Sequence, residues 1–169
     1  IICSDTDVYL EPSEATLFRA LAARGNYLSQ DRSDIGYSVK ELTRCMAAPT
    51  EQNLKALKKL GRYLVGRPRV TQCYPYQEGP LKISICCDSD WAGCPRTRRS
   101  TSGGVLYLGE HVLKSWSTTQ KTVATSSGEA EYYSVCKAGS VGLGFGSLLG
   151  DLGLEAGVVV IKTDASAAM

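Results

Sequence analysis

The sequence of residues 81–93 is Leu-Lys-Ile-Ser-Ile-Cys-Cys-Asp-Ser-Asp-Trp-Ala-Gly, and its first half decides the fold class. Apolar side chains at positions 81, 83, 85 and 87 alternate with Lys82, Ser84 and Cys86. This period of two predicts a β-strand with one face in a protein core. An acidic residue, Asp88, follows where the predicted strand ends.

The sequence after this strand predicts two more strands, a helix and a fourth strand. Residues 103–108 and 111–117 flank Gly109-Glu110, a pattern typical of a hairpin. A long helix is predicted to begin near Ser126, and residues 158–161 form a β-branched run that suits a buried parallel strand. Because a helix that joins two strands makes a right-handed crossover and leaves them parallel in one sheet, residues 81–169 are predicted to form an α/β unit with a mixed sheet.

Residues 1–70 have a helical period instead. Three apolar stripes with helical spacing predict three helices, at Leu17, Leu21 and Leu28, at Ile35, Val39, Leu42 and Met46, and at Leu54, Leu57, Leu60 and Leu64. Ser13 and Thr50 are expected to cap the first and third helices, and Pro49 follows the end of the second. Residues 71–80 contain two prolines and a glycine and are predicted to be a linker.

The composition is that of an ordinary globular protein. The chain is 43% hydrophobic and 21% charged, so disorder is not expected as its main state. Seven cysteines without a C-x-x-C pair, together with a single histidine, argue against a zinc cluster and favour a reducing, intracellular compartment, the cytoplasm or the nucleus. The longest uncharged stretch, residues 138–150, is short of the ~20 residues that a membrane span needs. The chain has neither a signal-peptide pattern nor an initiating Met, and we expect it to be a fragment.

Three carboxylates in residues 81–169 are candidate metal ligands. Asp88 and Asp164 follow the first and last predicted strands, and the carboxyl ends of neighbouring parallel strands lie side by side. Helical steps from Glu131 follow the face that should pack on the sheet, whereas Glu129 fits a capping box with Ser126. A carboxylate on a buried face is costly unless a cation or hydrogen bonds compensate for it. Each aspartate alone could also be a turn or N-cap residue.

Convergence of the three carboxylates predicts a site for two Mg²⁺ or Mn²⁺ ions, because oxygen-rich clusters select these cations over zinc or copper. Such a cluster suits two-metal hydrolysis of a phosphodiester, in which ions ~3.5–4 Å apart clamp the scissile phosphate. The predicted catalytic and metal-binding residues are therefore Asp88, Glu131 and Asp164.

The net charge of +2 is too small to predict nucleic-acid binding by itself, so the distribution of charge matters. One face of the third predicted helix is basic and carries Lys55, Lys58, Lys59 and Arg62. This face is either a solvated helix surface or a surface that contacts phosphates.

Five sequence blocks occur in the order found in one protein family. They are Cys87-Asp88-Ser89-Asp90-Trp91-Ala92-Gly93, Arg99-Ser100-Thr101-Ser102-Gly103-Gly104, Ser115-Trp116-Ser117, Ser126-Ser127-Gly128-Glu129-Ala130-Glu131-Tyr132 and Thr163-Asp164-Ala165-Ser166-Ala167-Ala168. Together they resemble the ribonuclease H domain of copia-type (Ty1/copia) retrotransposon polyproteins. Residues 28–35, 49–50 and 57–66 resemble the tail of that family's reverse transcriptase, so the resemblance runs from about Leu17 to the end.

The resemblance implies a ribonuclease H-like fold for residues 81–169, preceded by a helical connection segment in residues 1–70. It implies hydrolysis of the RNA strand of an RNA–DNA hybrid with two magnesium ions, and the hybrid and the remainder of the parent polyprotein as partners. It assigns the active-site carboxylates to Asp88, Glu131 and Asp164, with the role on Glu131 rather than Glu129. The basic loop of Arg96, Arg98 and Arg99 would help to hold the hybrid backbone, with an exposed turn as the alternative.

The chain also departs from the family's pattern. Ribonuclease H domains use a fourth carboxylate and further helices, whereas the chain ends five residues after Asp164. We therefore expect a domain that is incomplete at its C-terminus and a poor nuclease alone. Ser33 stands where the family usually has proline, and five glycines between 139 and 150 burden the long helix by up to ~1 kcal/mol each. Two alternatives to an active enzyme follow, a non-catalytic remnant used as a structural or interaction module and a nucleic-acid-binding connection domain.

Overall fold

The computed structural model describes residues 8–78, 82–155 and 157–164. The chain divides into two compact units, Ile1–Gln72 and Cys73–Met169, each with its own hydrophobic core. The division falls inside residues 71–80, the segment predicted to be a linker. Among the described residues, no helix combines the length and the apolar character that crossing a membrane requires.

The first unit contains the three predicted helices. Helix α1 spans Pro12–Leu28, a short 3-10 helix spans Ser33–Ile35, α2 spans Gly36–Thr43 and α3 spans Glu51–Gly66. Their core consists of Phe18, Ala22, Ile35, Val39, Leu42 and Leu60. Thr50 caps α3 as predicted, because its hydroxyl accepts from the backbone N–H of Asn53 while Asn53 Oδ1 accepts from the backbone N–H of Thr50. The basic side chains of α3 are all exposed.

The prediction for the buried face of α1 was wrong. Leu17 is 56% exposed, and the residues that α1 buries are Ala15, Phe18 and Ala22. Both stripes have helical spacing, and Phe18 decides between them because an aromatic ring buries more area than a leucine. Ser13 does not cap the helix either, since Pro12 occupies the first helical position and Glu11 is the N-cap without a side-chain bond.

The second unit has the predicted α/β class with a mixed sheet. Strand β1 spans Ile83–Asp90, β2 spans Thr101–Leu108, β3 spans His111–Thr119, α4 spans Ser127–Asp151 and β4 spans Val160–Lys162. The strand order is β3-β2-β1-β4. β1 is antiparallel to β2 and parallel to β4, as the crossover by α4 requires. The predicted hairpin is confirmed, with Gly109 at its turn in the left-handed region, φ +60°.

Helix α4 covers one face of the sheet. Ile83, Ile85, Cys87 and Leu106 pack with Ala138 and Leu149 in one core. A Cβ on Gly142 would lie 2.9 Å from Ile85 Cδ1 and 2.5 Å from Val159 Cγ1, so glycine permits this close approach. Leu152 is 66% exposed because it lies beyond the end of α4.

The prediction that the fourth strand is buried was wrong for half of its side chains. Val158 is 83% exposed, whereas Val159 and Ile161 pack against the core under α4. β4 is the last strand of the sheet within the described residues, and α4 covers only the face that Val159 and Ile161 share. A β-branched run indicates strand propensity, and it cannot tell whether both faces are covered.

Candidate metal centre

The parallel pairing of β1 and β4 brings Asp88 and Asp164 level with each other. Cys86 lies opposite Lys162 in this pair, and each aspartate stands two residues further along the chain. β1 continues through Asp90, so Asp88 lies within the strand rather than at its end as predicted. Asp164 follows the last residue of β4 by two positions.

Helix α4 contributes the third carboxylate, Glu131. Ser126 is the N-cap, and its hydroxyl accepts from the backbone N–H of Glu129. Glu131 is the fifth residue of α4, and it lies close to Ser89 of β1. One carboxylate oxygen from each of Asp88, Glu131 and Asp164 lies within 4.8 Å of the others, with both aspartates exposed and Glu131 half-buried. The structure therefore brings together all three residues that were predicted from the sequence.

The two carboxylate oxygens of Glu131 have different surroundings. Oε1 accepts from the Ser89 hydroxyl at 2.7 Å and from the Ser89 backbone N–H at 3.2 Å. Oε2 is buried and has no hydrogen-bond partner among the described residues. A buried polar atom without a partner costs about 1–3 kcal/mol, and more when it is charged. A divalent cation held by this oxygen and by the two aspartates would remove that cost, so the residues present fit a magnesium or manganese site.

Glu129 is directed elsewhere. Its Oε2 accepts from the Thr125 backbone N–H and hydroxyl, both at 2.7 Å, and its Oε1 accepts from the Tyr133 hydroxyl at 3.1 Å. The hydrogen bonds from Thr125, followed by the one from Tyr133, lower the pKa of Glu129. The predicted role at the helix start holds, although Glu129 bonds the N–H of Thr125 instead of that of Ser126.

Two residues that the sequence analysis missed connect the elements around the carboxylate cluster by hydrogen bonds. The buried Ser134 donates its hydroxyl to the backbone carbonyl of Asp88 at 2.8 Å, which ties α4 to β1. The side-chain amide of Gln120 donates to Ser102 Oγ and to the carbonyl of Ala130, both at 2.9 Å, which ties α4 to β2. Ser134 stands one turn after Glu131, a position that could have suggested a role, whereas no sequence signal singled out Gln120.

The last four residues of the first sequence block, Asp90-Trp91-Ala92-Gly93, form the turn at the end of β1. The carboxylate of Asp90 occupies the space that a Cβ on Gly93 would take. Ala92 has φ +53°, and its N–H donates to Ser100 Oγ at 3.0 Å. Trp91 Nε1 donates to the carbonyl of Ala124 at 3.2 Å. The second aspartate of the block is therefore part of a local turn, and the first belongs to the carboxylate cluster.

The predicted nucleic-acid contacts are accessible in both units. In the second unit, the loop between β1 and β2 is closed by a backbone bond from Arg98 N to Cys94 O at 2.7 Å. Its exposed basic residues are Arg96, Arg98 and Arg99. In the first unit, the exposed basic residues of α3 are Lys55, Lys58, Lys59 and Arg62. Accessibility is a requirement for a phosphate contact, and the binding role of these residues stays a prediction.

Comparisons with known proteins point to one family. The Retrovirus-related Pol polyprotein from transposon RE1 of Arabidopsis thaliana is 38% identical over 143 residues, which cover 85% of this chain and 10% of that protein. The corresponding polyprotein from transposon RE2 is 36% identical over 142 residues, or 84% of this chain and 10% of that protein. An uncharacterized mitochondrial protein of the same plant is 39% identical over 128 residues, or 75% of this chain and 51% of that protein.

The chain spans about a tenth of the length of the Pol polyproteins that it matches. No family model and no solved structure matches the chain.

Proposed function

The chain belongs to the family of copia-type retrotransposon Pol polyproteins, and from this premise we propose that its second unit is a ribonuclease H-like nuclease domain. In this proposal the unit hydrolyses the RNA strand of an RNA–DNA hybrid, and residues 1–70 are the end of the reverse transcriptase. The observation that carries the proposal is the cluster of Asp88, Glu131 and Asp164, in which the buried Oε2 of Glu131 has no partner within the described part of the chain.

The cluster suits a phosphodiester substrate for two reasons. Its exposed members, Asp88 and Asp164, leave the cluster open to a phosphate, while the half-buried Glu131 forms its inner wall. Two divalent cations would supply an activated water and stabilise the leaving oxygen, so no side-chain nucleophile is needed. The protein's part is to position the carboxylates before the cations arrive: the Ser89 hydroxyl holds Glu131, and the bond from Ser134 to the Asp88 carbonyl holds α4 against β1.

The basic loop of Arg96, Arg98 and Arg99 extends the proposal to the hybrid backbone. This loop follows β1 directly, so it leaves the strand that carries Asp88. Exposed guanidinium groups form bidentate bonds with phosphate oxygens, and phosphate contacts fix the register of a protein on a duplex. We include the basic face of α3 as a second phosphate-contacting surface, and the remainder of the Pol polyprotein as the partner of both units.

Metal-dependent stabilisation tests the proposal, because a cation that binds only the folded state stabilises it by mass action. We expect about 2.7 kcal/mol at a concentration of about 100 times Kd. Thermal melts of the 169-residue chain would be recorded in EDTA, in Mg²⁺ and in Mn²⁺. We expect a metal-induced rise in Tm for the wild type and for Asp90→Asn, whose carboxylate lies against Gly93. Asp88→Asn should abolish that rise.

Cleavage of a hybrid with a labelled RNA strand tests the reaction itself. We expect slow cleavage that requires the cation, is retained in Asp90→Asn and is lost in Asp88→Asn. An equal metal-induced shift of Tm in the wild type and in Asp88→Asn would contradict the metal centre. Metal binding without any cleavage would favour the non-catalytic remnant.

A further inference from the structure

Ser89 stands where the α4-facing side of β1 changes from apolar to polar. Side chains alternate along a strand, so Ser89 continues the row of Ile83, Ile85 and Cys87, which are all buried in the core under α4. At the next position of this row the helix presents Glu131 instead of an apolar residue. A hydroxyl therefore meets a carboxylate at the rim of the core, with the Ser89 side chain half-buried.

Ser89 donates twice to the same oxygen of Glu131, and its N–H is shared with Asp88 Oδ1, which accepts it at 2.8 Å. A carboxylate oxygen offers about two lone-pair directions, and the Ser89 hydroxyl at 2.7 Å and N–H at 3.2 Å use both of those on Oε1. The last torsion of a glutamate is broad and roughly two-fold, so it is easily turned unless neighbours fix it. Oε2 is then the oxygen left without a partner in the described ranges.

We propose that Ser89 is a positioning residue of the metal centre, which holds Oε1 of Glu131 so that Oε2 is presented to the cations. The inference rests on the proposed function as far as the cations are concerned. The fixing of the carboxylate by the hydroxyl does not depend on it. The backbone N–H stays in place in Ser89→Ala, whereas the hydroxyl of serine or threonine adds a second donor. Alanine at this position would leave Glu131 with only the N–H bond at 3.2 Å, so its carboxylate would turn more easily.

The attachment of α4 to β1 does not depend on Ser89 alone. Ser134 donates to the Asp88 carbonyl at 2.8 Å, and Gln120 holds the Ala130 carbonyl. Loss of the Ser89 hydroxyl should therefore change the orientation of Glu131 without detaching the helix. This separates a positioning role from a structural one.

Titration with Mn²⁺, followed by the electron paramagnetic resonance signal of the free ion, measures the effect on the metal. The variants of the 169-residue chain are Ser89→Ala, Ser89→Thr and Glu131→Gln, with Ser140→Ala as the matched control. Ser140 is an exposed serine of the same helix, and its hydroxyl donates to the Cys136 carbonyl at 3.1 Å. We expect Ser89→Ala to bind Mn²⁺ about tenfold more weakly, as losses of a ligand's supporting hydrogen bond do. Ser89→Thr should bind within twofold of the wild type, as should Ser140→Ala.

A double-mutant cycle in EDTA measures the same contact without metal. Urea unfolding of the wild type, Ser89→Ala, Glu131→Gln and the double variant gives four unfolding equilibrium constants. We expect the double variant to depart at least fivefold from the product of the single effects. Additive effects would show that the hydroxyl does not act on the Glu131 carboxylate.

The Mn²⁺ titration and the double-mutant cycle distinguish a failure of the positioning role from a failure of the proposed function. Mn²⁺ affinity that Glu131→Gln lowers and Ser89→Ala leaves unchanged would overturn the positioning role and keep the metal centre. A wild type that binds no Mn²⁺ would overturn the proposed function and the metal half of this inference, while the cycle in EDTA would still decide whether Ser89 fixes Glu131.

Discussion

Glu129 and Glu131 stand two residues apart on α4, and their neighbours give them different roles. Two helical positions are about 200° apart around the axis, so the two carboxylates point in nearly opposite directions. Glu129 satisfies both of its oxygens with Thr125 and Tyr133 and stabilises the start of the helix. Glu131 satisfies one oxygen with Ser89 and leaves the other buried without a partner in the described part of the chain, and its carboxylate belongs to the cluster with Asp88 and Asp164. At the scale of the residue, the unsatisfied oxygen is what distinguishes a candidate ligand from a capping residue.

Asp34 shows the same principle in the first unit, with a consequence for pH dependence. Its carboxylate accepts from the Arg32 guanidinium at 2.9 and 2.8 Å and from the Tyr63 hydroxyl at 2.8 Å. The bonds from Arg32, more than the one from Tyr63, lower the pKa of Asp34 from 3.8 to about 2. Arg32 also donates to the carbonyls of Arg67 and Pro68, so this pair joins the chain before α2 to the chain after α3.

We predict that Asp34→Asn destabilises the first unit by about 1 kcal/mol at pH 7, a value reduced for solvent screening because Asp34 is exposed. A lowered pKa in the folded state adds stability above the ordinary pKa of 3.8, and this stability is lost as the pH falls through about 2. Urea unfolding at pH 7, 4, 3 and 2 should show the wild type and the variant converging at the acid end. Asp31→Asn, an exposed neighbour, is the control; a constant difference at every pH would contradict the prediction.

At the scale of the element, the sequence predicted most helices and strands, and it failed where two patterns competed. The third helix was predicted correctly because it has one apolar stripe and a clear start at the Thr50 cap, whereas the second ends at Thr43, before Met46 of its predicted stripe. In α1 both the leucines and the set around Phe18 have helical spacing, so periodicity alone could not choose the buried face. The supporting bonds of Ser89 and Gln120 could not be predicted either, because they join residues 42 and 10 positions apart in the chain.

The glycines of α4 are another case in which the sequence pattern alone was ambiguous. Helical propensity treats them all as a burden, but the space around each one differs. A Cβ on Gly142 would meet Ile85 and Val159, whereas a Cβ on Gly144 would meet nothing within 4 Å. Gly142 therefore serves the packing of α4 on the sheet, and Gly144 serves no contact in the described structure.

We predict opposite effects for two alanine substitutions in this helix. Gly142→Ala should destabilise the protein by about 1–3 kcal/mol, because the added methyl group would overlap with Ile85 of β1 and with Val159. Gly144→Ala should stabilise it by about 0.5–1 kcal/mol, because the helix then loses less chain entropy on folding. The midpoint of urea unfolding with unchanged m-value measures both, and each variant is the control for the other. If both substitutions shift the unfolding midpoint in the same direction, helix propensity, and not the close approach at Gly142, determines their effect on stability.

At the scale of the whole molecule, the distribution of charge separates two kinds of surface. The cluster of Asp88, Glu131 and Asp164 is a concentrated acidic site in the second unit. Groups of exposed basic residues lie on α3 in the first unit and in the loop after β1 in the second. The small net charge of +2 hides this separation, because acidic and basic groups nearly cancel. A polyanionic substrate would meet cations at the acidic site and positive side chains elsewhere, so its affinity should fall with salt in proportion to the phosphates contacted.

We predict that neutralising either basic surface lowers the slope of log K against log salt concentration for binding of an RNA–DNA hybrid. Each phosphate contact contributes about 0.9 to this slope in a duplex. Replacing Arg96, Arg98 and Arg99 by glutamine should therefore lower the slope by about 2 to 3, and replacing Lys55, Lys58, Lys59 and Arg62 should lower it by about 3 to 4.

The control removes three exposed lysines elsewhere in the second unit, Lys114, Lys121 and Lys137, and should leave the slope within about 1 of the wild type. Fluorescence anisotropy in EDTA, between low and moderate salt, gives the slopes without cleavage. Any loss of positive charge weakens general electrostatic attraction, so the slope rather than the affinity identifies a phosphate contact. If both variants have the slope of the control, both surfaces are solvated and do not contact phosphates.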